Sequence, residues 1–193
     1  MKKYLKPKFL VGAAVLLGLL MFFSCDRAEA QEFNYEVSKD NLMTNIRLRE
    51  NTWHTEFGMK VSPRLQVVYR YADLDGLVEN RVKFTYDLLS FDGISLKPRM
   101  EYRMFDDDNK DDHWRFRMIA QYDRSVMDNV NLWVKLQPRW ELDNADLEID
   151  DWRNQFGLAF DMGNMSLAPF FELHPMTGKD TETLFGTYFK IKL

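Results

Sequence analysis

The chain has 193 residues, a formal net charge of −4 and a single cysteine, Cys25. One cysteine excludes a disulfide framework, and a mature chain that begins after Ala30 has no thiol for catalysis. The length suits one domain, and we predict no nucleic-acid partner for this acidic chain.

The N-terminal segment has the layout of a secretory signal. Lysines in MKKYLKPK are followed by the apolar run FLVGAAVLLGLLMFF and by the cleavage pattern A-x-A, which ends at Ala30. The run is shorter than the ~20 apolar residues of a transmembrane helix. We therefore predict a signal peptide at residues 1–30 and an exported domain at residues 31–193. Two alternatives stay open, an uncleaved anchor and lipidation at Cys25.

Segments after the signal alternate apolar and polar residues, which is the period of a β-strand. Turn residues separate these segments. The pattern predicts an all-β fold, an antiparallel up-and-down transmembrane β-barrel of about ten strands, with a range of eight to twelve. Short turns such as SFDG alternate with longer acidic loops, among them DLDGLVEN and DNADLEIDD. The predicted strands are 41–50, 52–62, 64–72, 80–90, 93–105, 112–123, 129–142, 150–161, 164–174 and 182–193.

One parity of each predicted strand is free of Lys, Arg, Asp and Glu. In the sixth segment, for example, this parity holds Trp114, Phe116, Met118, Ala120 and Tyr122. A charge on the lipid face of a membrane barrel costs ~2–4 kcal/mol at the midplane, so its absence is expected there. A soluble β-sandwich is the alternative for a single apolar parity.

The opposite parity is rich in basic residues and predicts a cationic lumen. Three segments share the pattern L-x-P-x-apolar-E, in LKPRME, LQPRWE and LAPFFE, and each would point a glutamate inward. Their prolines predict bulges or bends, because proline cannot donate to the ladder. The predicted acidic partners are Glu101, Glu141 and Glu172. The predicted solute-guiding residues are Arg70, Lys83, Lys97, Arg99, Arg103, Arg115, Arg117, Lys135, Arg139 and Arg153.

Enzyme and metal motifs are missing from the sequence. The histidines His54, His113 and His174 belong to no H-E-x-x-H pattern, and no G-x-S-x-G occurs. DDDNKDDH departs from a calcium loop, because Lys110 takes a ligand position. We predict no enzyme, no catalytic residue, no metal site and no cofactor.

The inward basic ladders, with VVYRYADLDG and LQPRWELD, resemble the small monomeric outer-membrane porins for acidic oligosaccharides, the oligogalacturonate and sialic-acid channel family. The resemblance covers most of the chain after the signal at the level of pattern. The family has twelve strands, whereas ten are counted here. The resemblance implies anion guidance by Arg70, Lys97, Arg99, Arg103, Arg115, Arg117 and Arg139.

These patterns predict a monomeric barrel in the bacterial outer membrane, in contact with lipid and lipopolysaccharide. The leading hypothesis is a small channel for anionic solutes or acidic oligosaccharides. The alternative is a closed barrel in which ion pairs between lumen arginines and glutamates fill the interior, with a structural or surface-binding role for its acidic loops.

Overall fold

The computed structural model of the protein describes residues 30–143, 146–175 and 181–193. The predicted signal peptide lies outside the described residues, apart from Ala30. Within the described ranges, no helix is long and apolar enough to cross a membrane. The strands are β1 Ala30–Lys39, β2 Leu42–Arg49, β3 Thr52–Lys60, β4 Leu65–Leu74, β5 Leu77–Tyr86, β6 Leu89–Phe91, β7 Ile94–Phe105, β8 His113–Met127, β9 Val130–Asp143, β10 Asp146–Asp161, β11 Met165–His174 and β12 Glu182–Lys192.

Neighbouring strands pair in chain order, and the first and last strands close the sheet into a barrel. Because β5 and β6 pair with the same edge of β7, they occupy one position, and the barrel has eleven strand positions. Consecutive strands pair antiparallel, whereas β1 and β12 pair in parallel, and we call this parallel pair the seam. The predicted all-β barrel is confirmed, and β1 is the strand that the sequence did not indicate.

The odd number of positions puts the two chain ends of the described barrel at opposite rims. Leu193 lies at the rim where β1 connects to β2 and β8 to β9, which we call the turn end. Ala30 lies at the other rim, with the connections from β7 to β8 and from β11 to β12, which we call the loop end.

Two connections at the loop end are shorter than the sequence indicated. β4 ends at Leu74 and β5 begins at Leu77, so DLDGLVEN forms a tight hairpin. The reason is the Asp75-Gly76 turn, whose φ angles of 61° and 86° match a type I′ turn. Within DNADLEIDD, β9 ends at Asp143 and β10 begins at Asp146. The prediction of long loops was wrong at these two places.

The prolines of the L-x-P pattern lie beside gaps in the strand ladder. Pro98 faces the break between β5 and β6, and neither it nor Lys97 pairs on that edge. Pro138 is skipped in the pairing of β8 with β9, and Pro169 is skipped in the pairing of β10 with β11. A proline has no N–H to donate, so each of these edges opens where the donor is missing. On these edges the register shifts by one residue beside Pro98 but not at Pro138 or Pro169, so the predicted bulge or bend is found at one of the three prolines.

The two faces of the barrel differ in polarity. The outer face is apolar and the inner face is polar, which is the reverse of the arrangement in soluble β-proteins. Large apolar side chains such as Leu48, Phe57 and Leu136 stand exposed on the outside, whereas Arg81, Glu101 and Gln155 are buried inside. A small apolar cluster of Trp133, Phe170 and Leu184 also lies within the barrel. The predicted assignment of apolar parities to the outside therefore agrees with the described strands.

Candidate functional site: the barrel interior

The inward side chains enclose a cavity of about 600 Å³. This cavity follows the barrel from rim to rim along β2, because every inward residue of that strand lines it. These residues are Met43 near the turn end, then Asn45 and Arg47, and Arg49 at the loop end. A barrel of ~8 strands is just filled by its side chains, so eleven positions leave more room.

The predicted basic residues divide into one rim residue and a larger interior group. Lys97 lies at the turn end, where it pairs with Asp87 at 3.0 Å beside a small separate hollow, and it does not line the main cavity. All the others line the cavity, namely Arg70, Lys83, Arg99, Arg103, Arg115, Arg117, Lys135, Arg139 and Arg153. The pleat of the strands brings these residues together from β4, β5, β7, β8, β9 and β10.

Three interior carboxylates, those of Glu79, Glu101 and Glu172, lie in the wall behind the cavity surface. Glu79 and Glu101 are 0% exposed and Glu172 is 1% exposed, and none of the three lines the cavity. These three carboxylates are thus covered by side chains that line the cavity, whereas Glu32, Glu36, Glu56 and Asp123 line it directly. The wall that a solute would meet is accordingly dominated by guanidinium and ammonium groups on this side of the barrel.

Glu101 is the centre of the largest ion-pair group. Arg81 Nη1 donates to Glu101 Oε2 at 2.7 Å. Arg117 and Arg99 approach Glu101 Oε1 at 3.6 Å and 3.8 Å. These contacts link three strands, β5, β7 and β8, through one carboxylate. Arg81 also pairs with Glu79 at 2.6 Å, and Arg103 pairs with Glu79 at 2.5 Å, so the group extends along β5.

Two further ion pairs connect the strands near the seam and on β3. Arg47 lies 3.2 Å from Glu32 of β1, and Asn34 Nδ2 donates to the same carboxylate at 2.7 Å. Lys83 of β5 pairs with Glu56 of β3 across β4. The first pair joins the neighbouring strands β1 and β2, and the second joins β3 and β5, which are not neighbours.

The glutamates of the three L-x-P segments lie in different environments. Glu101 and Glu172 are buried, and Gln155 Nε2 donates to Glu172 at 2.5 Å. Glu141 lies near the loop end with a side chain that is 37% exposed, where it accepts from Arg115 and lies 3.3 Å from His113. All three carboxylates contact basic side chains, but Glu141 lies at the rim rather than in the buried layer.

A second part of the interior wall is aromatic. Trp133 of β9, Phe170 of β11 and Tyr188 of β12 form the aromatic cluster, with ring centroids 4.7–6.0 Å apart. Gly157 and Gly186 make room for it, since a Cβ at Gly186 would lie 2.4 Å from the Phe170 ring. Lys135 Nζ lies 5.3 Å from the centroid of Trp133 and 5.5 Å from that of Tyr188. Lys190 Nζ lies 5.8 Å from the centroid of Tyr188.

Some cavity-lining cations have no carboxylate partner. Among the residues that the structure describes, no carboxylate oxygen lies within 4 Å of Arg70, Lys135 or Lys190. Arg70 Nε is buried and has no hydrogen-bond partner in that part of the chain. An unpaired cation in a confined space attracts anions more strongly than a paired one.

Sequence reasoning missed two groups of interior residues. The first is the inward face of β1, Glu32, Asn34 and Glu36, whose alternation with Phe33 and Tyr35 was readable but lies directly beside the predicted cleavage site. The second is the aromatic cluster. Its members have the same inward parity as the charged residues, so the alternation pattern did not distinguish them. Glu79 was also missed, since the predicted strand began at residue 80.

The connection between β7 and β8 carries acidic residues outside the cavity. Asp112 Oδ1 accepts from the Phe105 backbone N–H at 3.0 Å, which ties the two ends of the loop together. Hydrogen bonds from the backbone and side chain of Asn109 lower the pKa of Asp107. Within the described ranges, no group of three or more His, Cys, Asp or Glu side chains could hold a metal ion.

No protein-family model matches the chain, and no curated protein matches it.

Proposed function

We propose that this protein is an outer-membrane β-barrel whose interior is a small channel for anionic solutes, such as acidic oligosaccharides. The observation that carries the proposal is the cavity along β2, in whose lining basic side chains outnumber acidic ones, with Glu79, Glu101 and Glu172 buried behind it. Such a duct raises the local concentration of anions and excludes cations, as rings of like charge do in other channels.

The outer surface supports the membrane part of the proposal. The strands that span from rim to rim have 8 to 16 residues, which suits the ~9–11 residues of a transmembrane strand. Aromatic pairs on the outside gather toward the loop end, including Trp53 with Tyr71 and Tyr102 with Trp114. Trp and Tyr at this level are typical of an interfacial girdle.

We expect the folded protein to fractionate with outer membranes and to migrate faster in SDS gels before boiling than after it. The reason is that an apolar outer surface needs lipid or detergent, and a barrel without free edges resists SDS. Cell fractionation and a heat-modifiability gel measure both properties. Recovery of the protein as a soluble periplasmic monomer would contradict the membrane proposal.

The channel proposal predicts anion selectivity that depends on the cavity-lining cations. In a planar bilayer under a KCl gradient, the wild type is expected to give a reversal potential on the anion side. The double variant R70Q/R99Q removes two charges from the cavity and should move the reversal potential toward zero. The effect should fade at high salt, because mobile ions screen the wall charges.

The matched control is K60Q/K97Q, which removes two charges from the rim hollow outside the cavity. We expect a reversal potential close to that of the wild type. An equal shift in both double variants would mean that net charge, rather than the cavity, controls selectivity.

The interior ion pairs favour a second candidate function, a closed structural barrel. Glu101 and Glu79 cross-link β5, β7 and β8 and reduce the space within the lumen. On this hypothesis the wild type has no steady conductance, and the acidic connection between β7 and β8 does the work at the surface. A silent wild type in the bilayer experiment therefore selects the closed barrel over the channel.

A further inference from the structure

Two lysines of the interior share one aromatic ring. Lys135 of β9 and Lys190 of β12 place their ammonium groups 5.5 Å and 5.8 Å from the centroid of Tyr188. β10 and β11 separate the two strands. The side chains of Lys135 and Lys190 therefore approach each other over the inner face of β10 and β11. Both lysines and Tyr188 line the cavity. The arrangement is therefore built by two strands, β9 and β12, and faces the space that a solute could occupy.

The charges at this place are not balanced by the protein. In the described part of the chain, no carboxylate oxygen lies within 4 Å of either ammonium group. The cross-strand neighbour of Lys190 is Glu36, which lines the cavity but forms no ion pair with it. The strand neighbours of Lys135 are Gln121 and Gln155, both uncharged.

The aromatic ring offsets only part of the unfavourable free energy of holding two unpaired ammonium groups in the barrel interior. The attraction of a cation to a ring face is modest, and two ammonium groups beside one ring also repel each other. An oxyanion between them would accept a hydrogen bond from each lysine, and bonds between charged groups are about twice as strong as neutral ones.

We propose that Lys135 and Lys190, held over Tyr188, form a binding subsite for a single oxyanion group, a carboxylate or a phosphate. This inference rests on the proposed anionic function of the interior and adds a defined place at which an anion stops. The subsite lies in the part of the lumen lined by the aromatic cluster, apart from the ion pairs of Glu79 and Glu101.

Isothermal titration calorimetry of the purified barrel in detergent micelles, at constant ionic strength, tests the subsite without requiring conductance. Inorganic phosphate and benzoate are titrated separately, so that the two sources of an oxyanion are distinguished. We expect saturable binding of one ligand per barrel for at least one of them. Phosphate binding alone assigns a phosphate subsite, and benzoate binding alone assigns a carboxylate subsite that also uses the rings.

The variants K135M and K190M each remove one donor and keep an unbranched side chain of similar length. Each is expected to weaken binding by about tenfold or more, the effect of a lost charged hydrogen bond. Y188F keeps the ring and should bind like the wild type. The control K60M makes the same substitution at the turn end, outside the cavity, and should leave the affinity unchanged.

The outcomes separate the subsite from the channel. Absence of saturable binding by both ligands overturns the subsite, as does an affinity that K135M and K190M leave at the wild-type value. A silent bilayer with intact, lysine-dependent binding overturns the channel and keeps the subsite. Folding of each variant is checked by heat-modifiability, and a variant that does not fold is replaced by Lys135→Gln or Lys190→Gln.

Discussion

Glu101→Gln is expected to destabilise the folded barrel by about 3–5 kcal/mol, the cost of removing one partner from a buried ion pair. Glu101 is fully buried, and the guanidinium groups of Arg81, Arg117 and Arg99 lie within 4 Å of it. Glutamine keeps the shape but removes the counter-charge of Arg117 and Arg99, while Arg81 retains its ion pair with Glu79. Urea unfolding of the barrel in detergent or lipid, followed by tryptophan fluorescence, measures the difference in the free energy of unfolding.

The chain provides a matched control in Glu141→Gln. Glu141 follows the same L-x-P pattern and also contacts arginines, but its side chain is 37% exposed at the loop end. Water and salt screen such a pair, so we expect a loss of only about 0–1 kcal/mol. Similar losses for the two variants would contradict the assignment of Glu101 to the buried layer and Glu141 to the rim.

Leu136→Arg is expected to destabilise the barrel in lipid by about 2–4 kcal/mol, because its side chain stands on the outer face in the middle of β9. An arginine there would have to enter the hydrocarbon layer or bend toward a distant interface. Refolding yield into lipid vesicles and urea unfolding in the same vesicles measure the effect.

Gln121→Arg places the same side chain on the inner face of the neighbouring strand. Gln121 lines the cavity and donates to Asp123 at 2.8 Å, so a new arginine would meet a carboxylate and solvent. We expect little change in stability. If the two arginine variants were equally stable, the outer face would not contact lipid.

The alternation of residues predicted which face of each strand points outward, because a period of two assigns every side chain to one of two faces. This argument placed Phe116 and Leu136 outside and Arg117 and Arg139 inside, as the structure has them. Alternation carries no information about depth or about partners across the barrel. It could not distinguish buried Glu101 from rim-exposed Glu141, or place Lys97 outside the cavity.

The limits of the strands were harder to predict than their faces. Asp75-Gly76 was assigned to a long acidic loop, although the pair has the conformation of a two-residue turn and the strands continue to its edges. β1 begins at the predicted cleavage site and was not assigned as a strand from the sequence. Its pairing with β12 depends on residues more than a hundred positions away, which local pattern does not report.

The seam has a consequence for how the molecule is made. Ala30 pairs with Leu184. Because β1 is synthesised early and β12 last, β1 stays without its parallel partner until almost the whole chain has been made. During this time the growing sheet has two unpaired edges, and such edges recruit other chains. Closure also joins the most distant contacts, which are the slowest to form. The closed barrel has no unpaired edge strand. Until β12 is complete, however, the nascent chain depends on other proteins to keep its edge strands from pairing with other chains.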